Sequence, residues 1–246
     1  MNASVPFLEA CGIVKHFGGL TALGGVDISL CRGEIVGLVG DNGAGKSTFV
    51  KILSGVLAPD AGEVRIEGRA VSIDSPQRAL QLGISTVFQD LALVNERDVA
   101  HNMFLGQEPC RFLFFVDRRR MMREAKQTIA ALRVGLPSVR AKVSSLSGGQ
   151  RQAIAVARAW QRGGQITLLD EPTAALGVRE ASKVKDLMIT LRSQGHALLL
   201  ISHNLESVFE LADRIVVLRH GMKVADVRTA GTSKHDIVSF LTSGEV

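Results

Sequence analysis

Gly40-Asp41-Asn42-Gly43-Ala44-Gly45-Lys46-Ser47 follows the apolar run Ile35–Val39 and opens a stretch with helical periodicity. It fits G-x-x-x-x-G-K-[ST] in the strand-to-helix context that gives the pattern its meaning. The glycines let the backbone curl until successive N–H groups face one point, and a helix starting near Lys46 adds the positive end of its dipole. The Lys46 ammonium can then reach the β- and γ-phosphates of a nucleoside triphosphate, and the Ser47 hydroxyl can ligate Mg²⁺. Gly40, Asn42, Gly43, Ala44, Gly45 and Thr48 complete the expected nucleotide-binding set. The plain alternative is a glycine-rich turn with a stray lysine, and eight residues in pattern and in context argue against it.

Two further segments extend this reading. Ile166-Thr167-Leu168-Leu169-Asp170-Glu171 is a buried strand with an acidic end. Asp170 is placed to hold hydrated Mg²⁺, and Glu171 to polarise the water that attacks the γ-phosphate. Alone, the two acids could be ordinary turn residues. Leu146-Ser147-Gly148-Gly149-Gln150 precedes an amphipathic helix. Ser147 fits an N-cap, and Gly148 and Gly149 expose backbone N–H groups, which makes a second anion-binding helix start. That helix has no phosphate loop of its own to serve, so its ligand is expected from another copy of the chain.

Working outward, short apolar strands alternate with helical patterns. The expected strands are Glu34–Val39, Val64–Glu67, Ile84–Phe88, Ile166–Asp170, Ala197–Ser202 and Arg214–Leu218. The expected helices are Lys46–Ser54, Gln77–Leu82, Arg118–Val134, Gly148–Gln161, Val178–Ser193 and Leu205–Leu211. Near-continuous Ile/Val/Leu content in the central strands points to a parallel sheet buried on both faces, hence an α/β fold. From about Gln89 to Arg162 strand signals are few, and a helical subdomain inserted in the core is expected. Its apolar run Phe112–Val116 is expected to pack inside that subdomain, with an exposed partner patch as the alternative.

Composition sets the limits. The chain has 246 residues, 46% of them hydrophobic and 22% charged, with ten Phe, one Trp and no Tyr. This excludes disorder and collagen-like structure. The longest apolar stretches are five or six residues, against the ~20 that a spanning helix needs. A secretory signal is not expected, because the first fourteen residues hold no Lys or Arg and Glu9 interrupts the apolar run. Leu8-Glu9-Ala10-Cys11 lacks the regions that would make it a lipoprotein cleavage site. Cys11, Cys31 and Cys110 are odd in number and far apart, which fits reduced thiols, and no zinc-type spacing occurs. Net charge is +5, yet Arg111–Arg162 holds twelve Lys/Arg against Asp117 and Glu124. Such a block is either a solvated helical face or a region near anionic nucleotide or lipid headgroups.

With these residues in place, the chain resembles an ATP-binding cassette (ABC) nucleotide-binding domain along nearly its whole length. Leu146–Gln150 is similar to the family signature. Gln89 in Val87-Phe88-Gln89-Asp90 resembles the glutamine joining core to helical subdomain, which also contacts the metal. His203 in Ile201-Ser202-His203 resembles the switch histidine at the γ-phosphate. Phe17 in Lys15-His16-Phe17-Gly18 resembles the aromatic that stacks on adenine, with His16 as the neighbouring alternative. The resemblance implies a P-loop NTPase (RecA-like) core with a mostly parallel sheet, an antiparallel β subdomain and an inserted helical signature subdomain. The core and β subdomain would span 1–88 and 163–246, and the helical part 89–162. It also implies ATP and Mg²⁺, with Glu171, His203 and Gln89 catalytic and Ser47, Gln89 and Asp170 at the metal. A head-to-tail homodimer would sandwich two ATP molecules, each site completed by Ser147 and Gly149 of the other copy.

Where the family usually reads Ser-Ala-Leu-Asp, this chain reads Ala174-Ala175-Leu176-Gly177. The missing aspartate puts direct crosstalk between the two sites in doubt and leaves the phosphate chemistry intact. Pro172–Val178, Gly40–Gly43 and Phe88–Leu91 resemble the ATPases of monosaccharide importers, in the subgroup with one cassette per chain. That implies a bacterial importer subunit at the cytoplasmic face of the plasma membrane. Its partners would be a transmembrane permease, received near Gln89–Leu105, and indirectly an external sugar-binding protein. A polyol or nucleoside importer is the near alternative. A non-transport cassette protein acting on nucleic acid has only the basic segment in its favour, so no nucleic-acid partner is expected. An inactive regulatory module is opposed by intact Lys46, Asp170, Glu171 and His203.

Overall fold

The computed structural model describes residues 6–112 and 115–242. In chain order its elements are β1 (Leu8–Phe17), β2 (Leu20–Leu30), β3 (Ile35–Val39), α1 (Lys46–Leu53), β4 (Ala61–Ile66), β5 (Arg69–Val71), α2 (Pro76–Gln81), β6 (Ile84–Val87) and α3 (Val99–Phe104). They continue with β7 (Cys110–Arg111), β8 (Phe115–Val116), α4 (Arg118–Ala131), α5 (Gly148–Gln161), β9 (Ile166–Asp170), α6 (Val178–Ser193), β10 (Ala197–Ile201), α7 (Leu205–Leu211), β11 (Arg214–Arg219), β12 (Met222–Arg228) and α8 (Lys234–Thr242).

The central sheet has six strands in the order β12-β11-β3-β10-β9-β6. Its four pairings from β11 to β6 are parallel, and β12 closes one edge antiparallel. All five residues of β3 and of β10 are buried. Period-two alternation explains why: Ile35 and Val39 face one core with Leu198, Leu200 and Val217, while Val36 and Leu38 face a second with Leu199, Ile201 and Val216. Helices α3 to α8 cover the first face; α1, α2 and an antiparallel sheet in the order β2-β1-β4-β5 cover the second. Parallel strands need both faces covered, and their uninterrupted apolar sequence is the mark of that burial.

Helices α5, α6 and α7 and strand β9 have the bounds expected from sequence, and the remaining expected elements are shifted by a few residues. Helix α4 stops at Ala131 rather than Val134, because Arg133 takes a left-handed φ of 53°. The long strands β1 and β2 were not legible: register shifts at Ala10/Ile13, Ile13/Val14 and Lys15/His16 break the alternation. Strand β12 was missed because it is a polar edge, and α3 was missed as well.

The expectation that Phe112–Val116 packs inside the helical region is overturned for Phe112, Phe115 and Val116, while Leu113 and Phe114 lie outside the described residues. Phe112 is 76% exposed, Phe115 73% and Val116 45%. The residues sit on a hairpin made by β7 and β8 and closed at its base by Asp117 N–H donating to Pro109 O at 2.7 Å. Two paired residues per strand leave no second layer to pack on. Part of the basic block is also neither a solvated face nor a ligand site. Arg158 donates to the carbonyls of Leu91 and Ala92, Arg162 to Leu105 O, and Arg151 to Leu146 O and Ser144 O. Burial lowers the Arg158 and Arg162 pKa values, the cost of using guanidinium groups to tie down 91–105.

Candidate functional site

The loop after β3 and the ends of β9 and β10 meet on one edge of the sheet, because β3, β10 and β9 are parallel neighbours. That edge is where open α/β sheets hold ligands. Gly40 starts the loop within van der Waals reach of the β11 backbone: a Cβ there would lie 2.4 Å from Leu218 O. Gly45 takes φ 102°, and a Cβ on it would lie 2.6 Å from Ala22 O. Both positions therefore require glycine. Ala44 N donates to Asp41 O at 3.1 Å, which closes the curl. Lys46 Nζ lies in the resulting concavity, donating to Gly40 O at 2.6 Å and Asp41 O at 3.0 Å. Burial lowers its pKa, opposed by Glu171, Asp41 and Asp170.

Asp170 ends β9 half-buried. Its pKa is raised by burial first and then by Glu171, with Lys46 and Lys51 opposing. A carboxylate held partly out of water, with an exposed serine hydroxyl at Ser47 on the loop, is a donor set that suits a hard cation also bound by substrate phosphates. Among the described residues no three His, Cys, Asp or Glu converge as a self-sufficient metal cluster. These residues fit Mg²⁺ arriving with nucleotide.

Glu171 takes φ 50°, a left-handed backbone that costs a non-glycine residue ~1–3 kcal/mol. Its amide donates to Ile201 O at 2.9 Å, which turns the side chain toward the end of β10. There Oε1 accepts from His203 N–H at 2.9 Å and pairs with His203 Nδ1 at 2.7 Å. Oε2 accepts from Ser202 Oγ at 3.2 Å. The acid and the histidine, 32 residues apart in sequence, are thus direct partners. A cleft of about 440 Å³ joins His203 and Ser202 to Gly40, Asp41 and Asn42, with Leu241 of α8 as a wall.

A second cleft of about 390 Å³ holds the face of the loop from Asn42 to Thr48 together with Phe17, Thr21 and His220. Phe17 is there because β1 and β2 pair Phe17 with Leu20 at their turn. His16 bonds Thr21 Oγ1 at 3.1 Å and does not line the cleft, so the structure separates the two aromatic candidates. Sequence reading missed Thr21, His220 and Leu241. His220-Gly221 forms the tight turn between β11 and β12, a legible turn signal; nothing local marks Leu241.

Gln89 lies two residues past β6, exposed, on the same sheet edge as Asp170. Ser147 caps α5 through reciprocal bonds with Gln150: Ser147 N–H donates to Gln150 Oε1 at 3.1 Å and Gln150 N–H to Ser147 Oγ at 3.4 Å. Gly149 permits close packing on α6, since a Cβ there would lie 2.8 Å from Glu180 Cβ. Ser147, Gly149 and Gln150 line a groove of about 670 Å³ between α5, α6 and the turn that follows α4, and it shares no residue with the two loop clefts. Gly177 starts α6 without a side-chain cap.

A family model described as ABC transporter matches residues 23–174. The chain is 42% identical to the fructose import ATP-binding protein of Rhizobium meliloti, over 99% of this chain and 96% of that protein. It is 43% identical to the xylose/arabinose import ATP-binding protein of Sulfolobus acidocaldarius, over 96% and 94%. Among solved structures, a nucleotide-free ATP-binding cassette from an ABC transporter matches with a TM-score of 0.83, 26% identity and coverage of 97% and 95%.

Proposed function

Because this chain belongs to the ABC transporter family, we propose that it is the ATP-hydrolysing subunit that drives import of a monosaccharide through a separate membrane permease. The observation that carries the reading is the contact of Glu171 with His203 beside the Lys46 loop. Three loops converge there with a cation for the phosphates, a general base and a γ-phosphate sensor.

In this reading ATP binds with its adenine at Phe17 and its phosphates along the loop N–H groups, Lys46 and the hydroxyls of Ser47 and Thr48. Ser47, Asp170 and Gln89 would hold Mg²⁺, which would supply charge neutralisation at the phosphates. Glu171 accepts a proton from the attacking water, and His203, held by Glu171, donates to the γ-phosphate. Lys46 is well suited to this task, because its ammonium already bonds two loop carbonyls and exchanges them for phosphate oxygens without moving away. The helix start at Ser147 lies in a separate groove, which supports completion of each site by a second copy. ATP then bridges the two copies, and loss of the γ-phosphate removes the bridge.

Exposed Val94 and Leu105 support a permease contact along 89–105. Among the described residues no helix is long and apolar enough to cross a membrane. The names of the two relatives carry the sugar reading to this chain, with an external sugar-binding protein as the upstream partner. The division into a core with β subdomain (1–88 and 163–246) and a helical subdomain (89–162) is part of the same proposal. The test is uptake of labelled fructose, ribose and xylose by a strain lacking this chain. Lost uptake of one sugar, restored by wild type and not by Lys46→Ala, supports the reading. Unchanged uptake of all three with retained ATP turnover in vitro rejects the sugar and leaves the ATPase.

A further inference from the structure

We propose that the hairpin of β7 and β8, with the first turn of α4, is a contact for the surface of an anionic lipid bilayer. The hairpin carries its apolar groups outward. Phe112 and Phe115 are about three-quarters exposed, Val116 is 45% exposed, and every described residue from Cys110 to Val116 is exposed. Leu113 and Phe114 lie outside the described residues. Exposed phenylalanines in this number are costly in water unless something covers them.

The charge around them says what does. Arg111 lies with its guanidinium 5.2 Å from the Phe112 ring centroid. At the base of the hairpin, α4 begins with Arg118, Arg119 and Arg120. Arg120 pairs with Glu124 at 2.6 Å, while Arg118 and Arg119 are exposed and make no ion pair among the described residues. The buried stripe of α4 begins at Met121 and continues through Ala125, Thr128 and Ile129, and the first-turn residues Arg118 and Arg119 ahead of it remain exposed. Exposed Phe112, Phe115 and Val116 beside these exposed arginines match the depth profile of a lipid interface. Aromatic rings enter the acyl boundary, and guanidinium groups remain at the headgroup phosphates on long apolar stems. Base stacking is a poorer match, because the Phe112 ring is already engaged by Arg111.

This goes beyond the importer reading and does not rest on it, since the test contains no permease. The full chain is sedimented with extruded vesicles of phosphatidylcholine alone or of an equal mixture with phosphatidylglycerol, at low and high salt. Binding is expected only with phosphatidylglycerol, and salt should weaken it. Phe112→Ser with Phe115→Ser should lower partitioning roughly tenfold or more. Arg118→Gln with Arg119→Gln should lower it about fivefold per arginine. Retained ATP binding shows that each variant is folded; if the serine variant fails this control, the glutamine variant alone decides. The proposal is overturned by equal binding to both vesicle types, by variants that partition like wild type, or by binding to a single-stranded RNA oligonucleotide while both vesicle types are ignored.

Discussion

Replacing Glu171 by Gln separates chemistry from architecture, because the structure fixes how little else should change. Glu171 accepts from His203 N–H, His203 Nδ1 and Ser202 Oγ. Gln keeps one oxygen for His203, and its amide can donate to the Ser202 hydroxyl, which turns to accept. Bonds to a charged acceptor contribute about 1.5–3 kcal/mol and neutral ones about 0.5–1.5. With His203 largely in water, the loss should be about 1–2 kcal/mol in stability, a fall of a few degrees in Tm for a chain of this size. Loss of a general base should slow turnover about 10²–10⁴-fold, or about 2.7–5.4 kcal/mol of barrier. Phosphate release with Mg-ATP gives the rate, calorimetry gives ATP affinity, and a melt gives Tm. Size-exclusion with ATP should show a trapped dimer. Turnover within about threefold of wild type would refute the role of Glu171. A rate loss matched by an equal loss of affinity and a collapse in Tm would refute the separation.

Lys46→Ala should lower ATP affinity about 10–100-fold, since a charge-assisted phosphate contact is lost; unchanged affinity by calorimetry counts against the loop assignment. Asp170→Asn should abolish turnover yet raise the melting temperature of the nucleotide-free chain. The Asp170 pKa is raised on folding, so the folded state binds the proton more tightly. Its cost is absent below the unfolded value and grows as pH rises through the raised one; the gain in melting temperature should therefore be present at neutral pH and vanish near pH ~3. Phe17→Ala should weaken ATP binding about tenfold through lost stacking, while His16→Ala changes it little; the reverse order would assign adenine to His16. Gly45→Ala should destabilise the chain by ~1–3 kcal/mol, read in a urea melt, because φ 102° and the Ala22 carbonyl both exclude a side chain.

The apolar runs in β3, β9 and β10 and the helices that follow them were readable because each satisfies one local rule: continuous burial for parallel strands, 3.6-residue periodicity for helices. The sequence alone also determined the phosphate loop, since Gly40–Ser47 is contiguous and its glycine requirement is a backbone property of those positions. The capping box of Ser147 and Gln150 is local in the same way.

Only the tertiary structure decided what depends on distant neighbours. Strand order brings Glu171 against His203, and the turn between β1 and β2 puts Phe17, not His16, in the cleft. Leu241 reaches the other cleft only because α8 packs back on the sheet. Arg158 and Arg162 looked like free charge until their carbonyl partners at 91–105 were in view. The Phe112–Val116 run looked like core, because composition cannot say whether a second layer exists for an apolar segment to bury against. Local rules concern bonded geometry and periodicity, which travel with the sequence. Partnership and burial are properties of the packed chain, set by which surfaces the sheet order leaves to be covered.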